Sequence, residues 1–145
     1  MLGEMKVLFL DIDGVVNCAK TVQRYGGVIG IDPYMALLVG RIVEATGAKI
    51  VLSSSWRHWP QGREEIRKRV MPFIDTTSIK GVYLPTYRGL EILEWLNRHP
   101  EVERYAILDD DSDFHPSQQS HFFKTEWNTG LTDLIADQVI KHLNQ

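Results

Sequence analysis

Three short apolar runs in this chain each break directly into a polar cluster, and that repetition constrains the fold more than any single motif. Residues 6–10 run into Asp11 and Asp13, residues 49–52 into Ser53, Ser54 and Ser55, and residues 105–108 into Asp109, Asp110, Asp111 and Asp113. Uninterrupted β-favouring runs of this length fit strands buried on both faces. Between the first two runs, Asp32 before Pro33 is a helix-start signal. Met35, Leu38, Val39, Ile42 and Val43 then recur at helical spacing until Gly47, which predicts a helix over 33–46. Strand, helix, strand at this spacing predicts a parallel pair joined by a right-handed crossover.

The same reading predicts helices over 61–70 and 89–98, and a last one capped by Thr132 and ending near Leu143. Further strands are expected at 121–124 and, on an edge, near 77–79. Residues 17–30, rich in glycine and polar side chains around Tyr25, Gly26 and Gly27, read as a loop or small flap. The expected fold is α/β, a three-layer Rossmann-like arrangement around a central, mainly parallel sheet. A length of 145 residues with 43% hydrophobic content fits one domain spanning 1–145.

In an open parallel sheet, ligands bind beyond the carboxyl ends of the strands. The three polar clusters are therefore expected to converge. Carboxylates crowded there repel one another and raise each other's pKa values unless a cation neutralises them. Hard oxygens of this kind suit Mg²⁺, which keeps several waters and takes one or two carboxylates plus a substrate phosphate. A carboxylate beside such a cation can attack phosphorus to give an aspartyl-phosphate, splitting hydrolysis into two displacements. Asp11 is the candidate nucleophile. Asp13, two residues on, is the candidate acid–base that protonates the leaving oxygen and later deprotonates water. Gly14 lets the chain turn sharply beneath them, while Ser53 and Arg88 are candidates to stabilise the phosphoryl oxygens.

Composition narrows the partners. Sixteen Lys+Arg against nineteen Asp+Glu give a formal charge of −3, so net charge neither demands nor excludes nucleic acid. The single cysteine, Cys18, excludes an intrachain disulfide and a cysteine zinc cage and fits a reducing compartment, with the cytoplasm as default. No secretory leader is expected, because Glu4 precedes an apolar run far shorter than a leader needs. No stretch approaches the roughly 18 apolar residues of a membrane span.

Residues 9–16, FLDIDGVV, resemble the first motif, DxDGx(V/T), of the haloacid dehalogenase (HAD) superfamily, and the other motifs follow in order. The resemblance implies a nucleophile at Asp11 and an acid–base at Asp13. Its second motif, a Ser or Thr ending the next core strand, falls on Ser53, with Ser54 one step away as the alternative. Its third, a Lys or Arg near the start of the helix before the fourth strand, falls on Arg88, with Lys80 as runner-up. Its fourth is the acidic pair Asp109 and Asp110. Asp110 is the implied direct metal contact, Asp109 either a second contact or the residue that orients the third-motif cation, and Asp113 an outer ligand. Mg²⁺ would be held by Asp11, the backbone carbonyl of Asp13, and Asp110.

More narrowly, Ser54, Ser55, Trp56 and Arg57, with residues 108–111 and 130–132, look like the small HAD domains of multifunctional RNA-repair proteins. That implies a Mg²⁺-dependent phosphomonoester hydrolase acting on nucleotides or on the phosphate ends of nucleic acid. About forty residues separate the first two motifs, which leaves room for a minimal cap or none. In this superfamily such sites are open to bulky substrates or shielded by a partner subunit.

Ser54, Arg57 and Gly14 are further candidates for substrate contact. Trp56 and Trp59 are expected to pack against the following helix, whereas Arg57 has two open readings, packing and a phosphate clamp. His115, His121 and Cys18 are expected to be ordinary structural residues. Three rival functions use the same residues: a phosphotransferase, a receiver-like signalling domain, and a module that binds nucleic-acid phosphate ends without turnover. A receiver-like domain fits poorly, because the strand expected to bear its phospho-accepting Asp ends here in serines.

Overall fold

A computed structural model describes residues 5–77 and 87–145. In chain order its elements are β1 (Met5–Leu10), β2 (Arg24–Tyr25), β3 (Val28–Ile29), α1 (Pro33–Thr46), β4 (Lys49–Leu52), α2 (Pro60–Arg69), β5 (Asp75–Thr76), α3 (Arg88–Asn97), β6 (Val102–Asp109), β7 (Phe122–Lys124) and α4 (Asp133–Leu143). Short 3₁₀ turns lie at Ser55–His58 and Pro116–His121. The main sheet has the order β5-β4-β1-β6-β7, and every neighbouring pair is parallel. From β1 the chain builds outward on one side to β4 and β5, then crosses to β6 and β7 on the other. That reversal places a topological switch point beside the end of β1, where α/β sheets bind ligands.

The alternation of side chains along each strand divides the core into two layers. Leu8, Leu10, Ile50, Leu52, Ala106 and Leu108 pack on one face with Leu38, Val39 and Ile42 of α1, Ile66 of α2, and Ala136, Val139 and Leu143 of α4. Val7, Phe9, Val51 and Ile107 pack on the other with Ile92 and Trp95 of α3. Burial on both faces is why these strands carry no polar alternation. Phe9 meets the Trp95 ring edge-on at 5.5 Å, and truncating a ring so buried costs about 3–5 kcal/mol.

Capping explains the sharpness of α1. The Asp32 carboxylate accepts from the backbone N–H groups of Tyr34 and Met35, Pro33 occupies the first turn, and Gly47, at φ 74°, donates its N–H to the Val43 carbonyl. The Thr132 hydroxyl accepts from the Ile135 N–H and starts α4. Three expectations shift. The flap is an ordered two-stranded hairpin, with Arg24 opposite Ile29 and Tyr25 opposite Val28 across Gly26 and Gly27. The edge strand is Asp75–Thr76, beside Val51 and Leu52; residues 78 and 79 lie outside the described residues, as does Lys80. The expected third strand starts earlier, at Val102, where side-chain burial is only partial and the apolar signal is correspondingly weak. Among the described residues no helix is long and apolar enough to cross a membrane.

Candidate active site

Backbone hydrogen bonds continue past the last strand residues and set the heights of the site groups. Asp11 donates its N–H to the Leu108 carbonyl, Ser53 to that of Leu10, and Thr125 to that of Asp109. The polar ends of β1, β4 and β6 are thus held side by side at one edge of the sheet.

Asp11, Asp109 and Asp110 come together there. Each offers a carboxylate oxygen, and the three oxygens lie within 4.8 Å of one another. The Arg88 guanidinium, at the first residue of α3, reaches in from above. Its Nη1 lies 2.6 Å from Asp109 Oδ2 and 3.0 Å from Asp11 Oδ2. The other Asp109 oxygen accepts from the Asp111 N–H at 2.9 Å. Asp109 is fully buried, and both its oxygens accept hydrogen bonds, one of them from Arg88. Asp11, Asp109 and Asp110 together are the carboxylates placed to hold a cation.

The electrostatics point the same way. Burial, reinforced by the Asp109 charge, pushes the Asp11 carboxyl up to about 8 despite the nearby Arg88. Asp110 is raised as well, by burial first and then by Asp109. Burial alone would lower Arg88, but Asp11 and Asp109 outweigh it and hold the guanidinium above its usual range. Among the described residues one guanidinium faces three carboxylates and does not neutralise them, which leaves the cluster short of positive charge.

The surroundings fit a hard cation and a phosphate. Gly14, at φ 82°, lies so close to Asp110 that a Cβ would stand 2.1 Å from Asp110 Oδ2. Only glycine leaves the space that Asp110 occupies. The Ser53 hydroxyl is fully buried and has no hydrogen-bond partner among the described residues, a condition it shares with Thr77 Oγ1 just past β5. A cavity of about 280 Å³ opens beside Arg88, lined in part by Ser55, His58, Asp111 and Asp113. A larger cavity, about 850 Å³, lies along α1, by Tyr34, Leu37 and Lys68, and none of the three clustered acids lines it.

Other candidate residues are largely engaged by the scaffold. Arg57 lines the cavity beside Arg88, but most of its donors are turned to the protein itself. Its Nε donates to the Thr77 carbonyl at 2.8 Å, its Nη1 to the Ser53 and Ser54 carbonyls at 3.1 and 2.8 Å, and its Nη2 to Glu91 at 2.8 Å. Four of the five N–H groups of a guanidinium are thereby spent on the scaffold. The buried Ser54 hydroxyl accepts from the Trp56 N–H and caps the Ser55–His58 turn, whereas the Ser53 hydroxyl makes no such bond among the described residues. Gly14 donates its N–H to Asn17 Oδ1, its carbonyl accepts from the Thr125 hydroxyl, and its lack of a Cβ makes room for Asp110. Asp113 is exposed and outside the carboxylate cluster, because the chain turns away after Asp111 and the Asp113 carbonyl instead accepts from the Gly89 N–H. The Asp13 carboxylate is also outside that cluster, held between Asn17 Nδ2 at 3.0 Å and Trp56 Nε1 at 3.2 Å.

Asn17, Trp56, Thr125, Glu91 and Gly89 carry site geometry that no local pattern announces. Gly89 is typical: a Cβ there would meet Gln118 and Phe114 at 2.8 Å, so the glycine lets α3 approach the 114–118 turn and sets Arg88 over the acids. Tyr25, Gly26 and Gly27, read from sequence as part of a loop or small flap, lie at the turn of the hairpin. His115 caps the Pro116–His121 turn and His121 sits on the Tyr105 carbonyl, both as scaffold. Cys18 is buried, as a small packed side chain.

A parallel five-stranded sheet covered by helices, with an acidic cluster and a buried serine at the carboxyl end of its central strands, defines a three-layer α/β protein of HAD type. The family model described as the HAD domain in Swiss Army Knife RNA repair proteins matches residues 7–136, so the chain belongs to that family. No curated protein and no solved structure gives a significant match.

Proposed function

We propose that this chain is a Mg²⁺-dependent phosphomonoester hydrolase that works through an aspartyl-phosphate on Asp11. The observation that carries the reading is the charge-deficient cluster of Asp11, Asp109 and Asp110 beside an unpartnered Ser53 hydroxyl and the Arg88 guanidinium. Asp11 and Asp110, with the Asp13 backbone carbonyl, would hold the cation. Bound there, Mg²⁺ supplies the positive charge that keeps Asp11 ionised near neutral pH and screens it from an anionic phosphate.

Ser53 Oγ–H and Arg88 bind and orient the phosphoryl oxygens, and Asp109 keeps Arg88 aimed. An Asp11 oxygen forms a bond to phosphorus while the ester P–O bond breaks. Asp13 gives its proton to the departing oxygen. A water then attacks the same phosphorus, Asp13 takes its proton, and the Asp11–phosphorus bond breaks to release inorganic phosphate. The small hairpin leaves room for a bulky leaving group, and membership in a family of RNA-repair domains favours the phosphate termini of nucleic acid as substrates.

The test is phosphate release from nucleoside monophosphates and from oligonucleotides bearing 5′- or 3′-phosphates, with Mg²⁺ and with chelator. The expected result is Mg²⁺-dependent release, preferring oligonucleotide ends. Asp11→Asn should cut turnover by roughly 10³-fold or more while the protein stays folded. Tight binding of phosphorylated ends without release would replace this reading with an end-binding module, and transfer to an added alcohol in place of water would make it a phosphotransferase.

A further inference from the structure

We propose that Trp56, acting with Asn17, is a positioning residue for the Asp13 carboxylate, and that the two couple it to the β2–β3 hairpin. This rests on the acid–base role given to Asp13 above. Each Asp13 oxygen accepts from one donor, Oδ1 from Asn17 Nδ2 at 3.0 Å and Oδ2 from Trp56 Nε1 at 3.2 Å. The donors come from different parts of the chain, the loop after β1 and the turn after β4, so together they fix both side-chain torsions of a residue that lies beyond the strand end. Asn17 is fully buried and Trp56 is 4% exposed, which strengthens both bonds relative to water. A proton donor must stand within hydrogen-bond reach of the leaving oxygen, and an untethered aspartate on a turn would visit other rotamers.

Both donors also hold the hairpin. The Asn17 amide donates to the Gly30 carbonyl at 2.9 Å, at the hairpin's base, while Asn17 Oδ1 accepts from the Gly14 N–H. The Trp56 ring meets Tyr25 of β2 edge-on at 6.3 Å and Trp59 at 5.1 Å. Space for this stack is made by Gly62 of α2, where a Cβ would lie 2.4 Å from the Trp59 ring and 3.1 Å from that of Trp56. The hairpin therefore bears on the acid–base group through one amide and one indole.

Trp56→Phe removes the N–H and keeps a ring. It should lower kcat/KM for an alkyl phosphate such as glycerol phosphate by roughly 10- to 100-fold. For p-nitrophenyl phosphate, whose leaving group departs without protonation, the loss should stay under about 3-fold. Should the Phe variant fail to fold, benzothienylalanine at position 56 preserves the ring volume and deletes only the N–H. Equal losses on both substrates, or none on either, overturn the proposal. Independently of turnover, the indole N–H resonance of Trp56, identified by its absence in Trp56→Phe, should move in Asp13→Ala; an unmoved resonance overturns the contact. If the native protein hydrolyses neither phosphate, the phosphatase reading falls, while the indole resonance still decides whether Trp56 holds Asp13.

Discussion

At the ends of β1 and β6, three carboxylates crowd together and two of them share one guanidinium; one strand away, at the end of β4, one guanidinium is shared by three carbonyls and a carboxylate. The Asp11, Asp109 and Asp110 cluster has more negative charge than Arg88 can meet, and Asp11 is pushed up to about 8, chiefly by burial and then by Asp109. Arg57 has its needs met by Ser53, Ser54, Thr77 and Glu91, and both it and Glu91 have side chains only 11% exposed. The first arrangement is costly unless something binds. The second already resembles a finished ion pair, with three more of its protons directed at carbonyls. Unmet demand marks the chemistry here, and met demand marks the frame that holds it.

The largest expected effect tests the unmet side. In the unfolded chain Asp11 ionises near pH 4, whereas in the folded, metal-free protein its proton is held until about pH 8. Folding therefore takes up a proton in that window, and this group's share of stability falls as pH rises from about 4 to about 8. The slope approaches about 1.4 kcal/mol per pH unit for one full proton. Chemical denaturation in chelator, compared between the native protein and Asp11→Asn, should show the native stability falling more steeply across the window. Parallel curves would mean that Asp11 ionises normally and the cluster is not short of positive charge.

A smaller effect tests the met side. Lysine at position 57 keeps the charge but cannot reach three carbonyls and Glu91 at once, leaving buried acceptors without donors. Arg57→Lys should cost about 3 kcal/mol of unfolding free energy, the scale of a broken buried pair. If Arg57 were a phosphate clamp, stability would hardly change and KM for substrate would rise instead.

The sequence exposed what depends on near neighbours or on burial of whole segments. Past the lysine at or near the start of each, β1 and β4 are wholly apolar because they pack on both faces, so they stand out, and the caps of α1 are written in Asp32, Pro33 and Gly47. The acids of the site were legible because they end such strands. The division of labour among them was not. Whether Asp109 binds a cation or aims Arg88, and whether Arg57 binds substrate or staples a turn, depends on partners 20 or more residues away, such as Arg88 for Asp109 and Glu91 for Arg57. Nothing in the local pattern separates an aspartate with two engaged oxygens from one with none.

Ser53 and Ser54 give the smallest and sharpest form of the comparison. They are neighbours and equally buried, and the sequence puts Ser53 first, with Ser54 as the alternative, for the hydroxyl that meets phosphate. Ser54 Oγ accepts from the Trp56 N–H at 3.1 Å, while Ser53 Oγ has no partner among the described residues. Ser54→Ala should cost about 1 kcal/mol, the scale of a lost cap, and change kcat/KM by less than about 2-fold. Ser53→Ala should leave the unfolding free energy nearly unchanged, because no bond is lost, and lower kcat by about 10²-fold if its hydroxyl meets the transferring phosphoryl group. The two variants thus place their losses in different columns, stability for one and rate for the other. The reverse pattern would move the phosphate-binding hydroxyl to Ser54 and require the Ser55–His58 turn to open before substrate enters.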